Sequence, residues 1–348
     1  MRKLSLSAVS VAGLAALAVG TAALDAAESE SPAGILAQAQ ALFADYARPD
    51  SIPFPADNPY TDEKAELGRT LFFDPRLSSS GWISCASCHN PALGWEDGLA
   101  LGIGHGFGQL GRHTPTISNL AWGVLNFWDG RAESMEAQAV GPIQAEGEMN
   151  MPHGEVVARL AGIAGYASMF EAAFGDPEVT IDRIGQAIAT FERTIVSNLA
   201  PFDHWVAGDE DAISESAQRG FLVFNTTGQC STCHTTWRFT DDGFHDIGLP
   251  DDDLGRALIV PDVPVLEHAF KTPGLRNLTE RAPFMHDGSL PDLAAVIDHY
   301  ASGFVQRESL SWAITPLELS EQDRQDLVAF LESLTSVDDP IAVPVVPQ

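Results

Sequence analysis

Apolar positions recur at helical spacing in several stretches of the chain, and residues that cap helices stand where those stretches begin. Thr180 precedes a run in which Ile184, Ile188, Phe191 and Ile195 share one face, so a helix is expected to start there under the Thr180 hydroxyl. Ser214 stands in the same place before Ala217 to Phe224, and Ser320 with Asp323 makes the pattern of a capping box before Leu327, Phe330 and Leu331. Two short segments, Glu66 to Phe73 and Gln218 to Phe224, read as amphipathic helices that end in aromatic side chains. Sustained alternation of apolar and polar residues, the mark of strands, does not occur. The pattern predicts a mostly α-helical protein with long loops and little β structure, with a boundary near Asn198 to Phe202. An N-terminal domain is expected over 32–198 and a C-terminal one over 199–335. The tail 336–348 carries three prolines and should be extended, crossing back over the first domain.

The longest apolar run lies at the very start. Arg2 and Lys3 precede an Ala/Leu/Val/Gly-rich stretch from Leu4 to Leu24, and an acidic, polar segment comes after it from Asp25. That layout reads as an export signal over 1–27, with small residues for cleavage between about 22 and 27. A retained membrane anchor is the competing reading, but the run is rich in small residues, and no later stretch approaches the length of a membrane-spanning helix. The mature protein is then expected in the periplasm, free of the membrane. The chain has 348 residues, 45% of them hydrophobic, enough for two ordinary cores. Its formal charge of -29 argues against nucleic acid as a partner. An acidic surface could steer a basic redox protein, although a plain solvated face explains the charge equally well.

Only four cysteines occur, and all fall in two motifs of the form C-x-x-C-H: Cys85, Cys88 and His89, then Cys230, Cys233 and His234. The spacing suits covalent attachment of a c-type haem, with two thiols for the two vinyl groups and the adjacent His for the iron. Two disulfides, a dithiol redox pair or one four-cysteine zinc site would use the same thiols, but none requires a His directly after each pair. The segments downstream of the two motifs also repeat one another. Thr114-Pro115, Asn119-Leu120 and Trp128-Asp129-Gly130 are matched, at identical internal offsets, by Thr272-Pro273, Asn277-Leu278 and His286-Asp287-Gly288. Two homologous haem-binding domains related by duplication explain the matching offsets.

From about Asn58 to Leu334 the chain resembles the bacterial di-haem cytochrome c peroxidases and their relative MauG, which matures a protein-derived quinone cofactor. Leu71-Phe72-Phe73-Asp74-Pro75, Gly104-His105-Gly106, Phe127-Trp128-Asp129-Gly130-Arg131, Gly141-Pro142-Ile143 and Ala282-Pro283-Phe284-Met285-His286-Asp287-Gly288 carry the likeness. The resemblance implies two covalently bound haem c groups in two cytochrome-c-like domains. It makes His89 the proximal ligand of the haem where peroxide reacts and His234 that of an electron-transfer haem. His105 would cap the first iron conditionally, with flanking glycines that permit movement. Glu148 would move the proton as the O–O bond breaks, Gln138 would supply a distal amide, and Trp128 would carry electrons between the haems.

Two positions depart from the peroxidase pattern. Fourteen residues after His286, where peroxidases carry a methionine ligand, stands Tyr300, as in MauG-type proteins. A phenolate is a harder, anionic ligand and should lower the potential of the second haem; Met285 is the other conceivable sulfur ligand and ranks below it. Relatives also bind calcium between the domains. Here that would fall to His113 with the carbonyls of Arg281 and Pro283, and imidazole suits a hard cation poorly. The resemblance thus implies a periplasmic peroxidase reducing hydrogen peroxide with electrons from a small cytochrome c or cupredoxin. A MauG-like enzyme that oxidises residues of a partner protein is the alternative, a non-enzymatic electron carrier a further one. A homodimer is an arrangement the family allows.

Overall fold

The computed structural model describes residues 31–348, so the export signal expected over 1–27 lies outside the described residues. In chain order the helices are α1 Pro32–Gln40, α2 Phe43–Tyr46, α3 Asp62–Phe73, α4 Cys85–Cys88, α5 Met135–Gln144, α6 His153–Ala161 and α7 Ala164–Phe174. They continue as α8 Ile181–Arg193, α9 Pro201–Val206, α10 Glu215–Asn225, α11 Leu293–Asp298 with a π turn over His299–Gly303, and α12 Glu321–Glu332. The strands among the described residues are a two-residue antiparallel pair, β1 Phe244–His245 and β2 Phe270–Lys271. Capping follows the side-chain chemistry. Thr180 accepts from the Arg183 amide at 3.2 Å, Ser214 from that of Ala217 at 3.1 Å, and Ser320 and Asp323 close a capping box.

Each half of the chain is built on one crossing of two helices, and a glycine lies at each crossing. A Cβ on Gly68 of α3 would stand 1.9 Å from the Ala187 carbonyl oxygen of α8; one on Gly220 of α10 would stand 1.8 Å from that of Asp326 on α12. Backbones can meet this closely only where no side chain intervenes. Aromatic rings then close around each crossing. Phe72 packs on Phe191 and Trp95, and Phe224 on Phe330 and Phe239, with centroids 5.1–6.0 Å apart. Buried Leu67, Leu71, Ile143, Leu160 and Ile188 complete the first core, and Trp205, Phe221, Leu327 and Leu334 the second.

The loops repeat as the helices do. Asn119 and Asn277 both adopt left-handed backbone, at φ 61° and 56°. Their amides donate to Ile195 and Leu334 respectively, and their Oδ1 atoms accept from the Ser197 and Ser336 amides. Each thereby ties its haem-side loop to the chain just beyond the second helix of its crossing. Asparagine is one of the few residues that tolerates this conformation and supplies the acceptor.

The ends of the chain depart from a simple two-domain division. Residues 32–46, expected with the N-terminal domain, pack on the C-terminal core: Tyr46 stacks on Phe239 at 5.0 Å and donates its hydroxyl to Asn225 at 2.7 Å, and Ala39 is fully buried beside it. Their apolar face fits the open side of α10, and nothing in its pattern names the core it serves. The tail lies along the first lobe, where Arg69 donates to Ala342 O at 2.7 Å and Arg76 to Pro347 O at 2.9 Å. Among the described residues no helix is long and apolar enough to cross a membrane.

Candidate functional site

Each C-x-x-C-H motif is a single tight turn that sets a histidine beside two thiols. The His89 amide donates to Cys85 O at 2.8 Å and the His234 amide to Cys230 O at 2.9 Å. On the ring side, His89 Nδ1 lies 3.2 Å from Trp95 O and His234 Nδ1 2.9 Å from Phe239 O. A carbonyl oxygen only accepts, so the proton resides on Nδ1 and Nε2 keeps its lone pair, which is the tautomer a metal needs. Burial lowers both pKa values and keeps the rings neutral, and it pushes the Cys230 thiol up to about 12. All four thiols are free, and the two pairs sit in separate lobes, which removes the disulfide and shared-zinc readings. Cys233, Asp241 and His245 do cluster, but Cys233 belongs to the second motif.

A cavity of about 200 Å³ opens beside the second motif, lined by His234, Cys230, Cys233, Tyr300, Met285 and Trp128 among others. Of the four tyrosines, Tyr46, Tyr60 and Tyr166 donate their hydroxyls to Asn225, Asp62 and Asp74. The fourth, Tyr300, faces this cavity. The π turn makes that possible: α11 widens at His299, whose Nε2 is tied to Ile247 O at 2.9 Å, and the next side chain turns inward. Burial raises the pKa of the phenol, so it becomes an anion here only in company with a cationic partner such as iron.

Around the first motif the chain gathers His105 and Glu148. The His105 amide donates to Gly147 O at 3.0 Å, and Gly104 sits so close to that carbonyl that a Cβ would stand 1.9 Å away. Burial raises the pKa of Glu148, with Arg131 pulling the other way. His105 Nδ1 is 3.3 Å from Ser79 Oγ, and its neighbour Phe107, 75% exposed, stacks on Trp82. Gln138 lies half-buried on α5, and none of the hydrogen bonds among the described residues joins its side chain to His105 or Glu148. Trp128 stands at the joint between the lobes, its indole donating to His113 O at 2.8 Å and its ring facing His286.

A second cavity of about 80 Å³ lies at that joint, lined by Trp128, Arg238, Lys271, Arg276 and Arg281. Arg276 Nη2 and Arg281 Nε are buried there without a hydrogen-bond partner. Orphaned cationic donors next to two thiol-pair centres suit an anionic edge such as haem propionates, so the residues present fit two haems. Sequence reasoning did not single out Arg276; the asymmetry that marks it is Ser118 in the equivalent position of the first copy. Of the calcium set expected at His113, Arg281 and Pro283, the His113 side chain already has partners within the chain. Both ring nitrogens of His113 are engaged, with Leu99 O at 2.7 Å and Glu96 Oε2 at 3.0 Å.

Two histidine and thiol-pair centres on duplicated helical lobes define a di-haem protein of the cytochrome c type. A family model described as di-haem cytochrome c peroxidase matches residues 62–211, and one described as cytochrome c matches 217–335. The chain belongs to the di-haem cytochrome c peroxidase and MauG family, and it is an oxidoreductase that uses peroxide and carries two covalently attached haem c groups. The electron-carrier reading is set aside accordingly. The chain is 53% identical over 310 residues to the methylamine utilization protein MauG of Methylorubrum extorquens, covering 88% of each. It is 35% identical over 300 residues to the cytochrome c551 peroxidase of Nitrosomonas europaea, covering 85% of this chain and 86% of that one. Among solved structures it is similar to a MauG-like protein associated with microbial copper homeostasis, with a TM-score of 0.76 at 32% identity over 83% of this chain and 94% of that one.

Proposed function

We propose that the protein uses peroxide to oxidise residues of a partner protein, in the manner of MauG, after export to the periplasm. The observation that carries this reading is the 53% identity to MauG over 88% of both chains, against 35% to a cytochrome c peroxidase. Tyr300 facing the cavity of His234 supports it. Peroxide reduction with electrons from a small cytochrome c or cupredoxin is the second reading, favoured by the Gly104-His105-Gly106 loop.

The haems supply iron that reacts with peroxide and holds oxidising equivalents; the chain supplies the rest. Cys85 and Cys88 would anchor the first haem, and His89 would offer Nε2 to its iron. Cys230, Cys233 and His234 would do the same in the second lobe, where Tyr300 lines the same cavity and could supply a further ligand. Glu148, whose pKa burial raises, would accept and return the peroxide proton, with Gln138 as the further amide that the resemblance implies. His105 stands on the loop that can open or close this side. Trp128, at the joint, would link the two centres, and Tyr300, if it ligates iron as a phenolate, would favour the oxidised state of the second haem.

The Tyr300→Met variant tests this. A thioether in place of the phenolate should raise the potential of the second haem, and the oxidised holoprotein should no longer react with peroxide unless first reduced. An unchanged potential and an unchanged reaction would refute it.

A further inference from the structure

The joint between the lobes holds a buried set of charged groups that the peroxide reading leaves without a task. Glu96 and His113 belong to the first lobe, Arg281 to the second, and all three are under 10% exposed. Glu96 Oε2 meets His113 Nε2 at 3.0 Å, and Glu96 Oε1 accepts from the Thr116 amide at 3.1 Å and faces Arg281 Nη1 at 3.7 Å. Arg281 Nη2 donates to Gly274 O at 2.8 Å, and its stem lies under Gly94, where a Cβ would stand 2.7 Å from Arg281 Cγ. The His113 amide donates across the joint to His286 O at 2.7 Å, while the His113 carbonyl holds the Trp128 indole.

The charge of this set is fixed by its geometry. Leu99 O can only accept, so His113 Nδ1 carries a proton. The 3.0 Å contact between Nε2 and the Glu96 carboxyl requires one more proton between them, and whichever partner holds it, the pair is neutral. Arg281 adds one positive charge that it cannot lose. A haem propionate on the free Nε of Arg281 would bring the total to neutral and no further. A divalent cation needs oxygen ligands with surplus negative charge; here it would meet a guanidinium and an imidazole whose two nitrogens are both engaged.

We infer that the Arg281 guanidinium, drawn onto Glu96 and His113, is the cation that closes the joint between the lobes, and that no calcium binds there. Where the resemblance implied calcium, this chain sets its own charged side chains.

The test uses purified holoprotein dialysed against a calcium chelator. Metal analysis should find no stoichiometric calcium, and adding calcium back should shift neither the thermal midpoint nor the potential of either haem. One calcium per chain retained through dialysis, or a calcium-dependent shift in midpoint or potential, would overturn the inference. The His113→Asn variant supplies a neutral oxygen and frees the Glu96 carboxylate, so it should gain a rise in thermal midpoint with calcium. A folded His113→Asn protein that stays indifferent to calcium would overturn the charge argument, and should that variant not fold, the unsubstituted protein decides the matter alone.

Discussion

Replacing Gly220 by alanine puts a methyl group 1.8 Å from the Asp326 carbonyl oxygen, at a distance where real Cβ atoms essentially never come under 3.0 Å. The obstacle is backbone on both sides, so α10 and α12 must part by more than an ångström. Parting them loosens Phe221, Phe224, Leu327 and Phe330, all at 2% exposure or less. Overpacking of a tight core costs about 1–3 kcal/mol, and a backbone-to-backbone clash belongs at the top of that range. At about 2.1 cal/mol/K of unfolding entropy per residue, about 3 kcal/mol should lower the thermal midpoint by about 4 °C in a chain of 348 residues. Gly68→Ala should behave alike, because its Cβ would stand 1.9 Å from Ala187 O. Gly154→Ala in α6, which meets nothing within 4 Å, is the control and should gain up to about 1 kcal/mol. Thermal unfolding of the three holoproteins, monitored by circular dichroism and haem absorption, reads all of this. Midpoints for Gly220→Ala and Gly68→Ala no lower than for Gly154→Ala would show that the two crossings are not the close contacts described.

Glu148, raised by burial, reaches its carboxylate form only above the ordinary range. If that form takes the peroxide proton, the rate of the reaction with peroxide should climb with pH through the raised pKa, and Glu148→Gln should slow it about 10²–10⁴-fold and flatten the profile. Glu192 is fully buried on α8, with Oε2 unpartnered, and burial pushes it up to about 8. It is protonated when folded and ionised when unfolded, so its contribution is complete below the ordinary carboxylate range and lost as pH rises through about 8. In urea titrations Glu192→Gln should match the parent in acid and exceed it in mild alkali; equal midpoints across that window would exclude a buried neutral carboxyl.

The features legible in the sequence are those that a covalent or backbone constraint ties to fixed spacing. Two vinyl groups demand two thiols three positions apart, and the duplicated loops demand asparagine at Asn119 and Asn277, so both left marks that could be counted. The helix starts at Thr180, Ser214 and Ser320 were legible for the same reason, since a cap must stand next to the amides it serves. The π turn that directs Tyr300 has no compositional signature, because widening by one residue changes no side chain. Residues 32–46 carry an apolar face that fits either core, and only the open flank of α10 decides between them. The union of Glu96, His113 and Arg281 joins positions 17 to 185 residues apart and is visible only in three dimensions.

Mixing the fully oxidised holoprotein with one equivalent of hydrogen peroxide, with no electron donor present, tests the proposed chemistry most directly. The absorption spectra of both haems should change together within the mixing experiment, and the unsubstituted protein should need no prior reduction. A spectrum that stays that of the oxidised protein until one haem is reduced would contradict MauG-like oxidation of a partner and leave donor-fed peroxide reduction in its place.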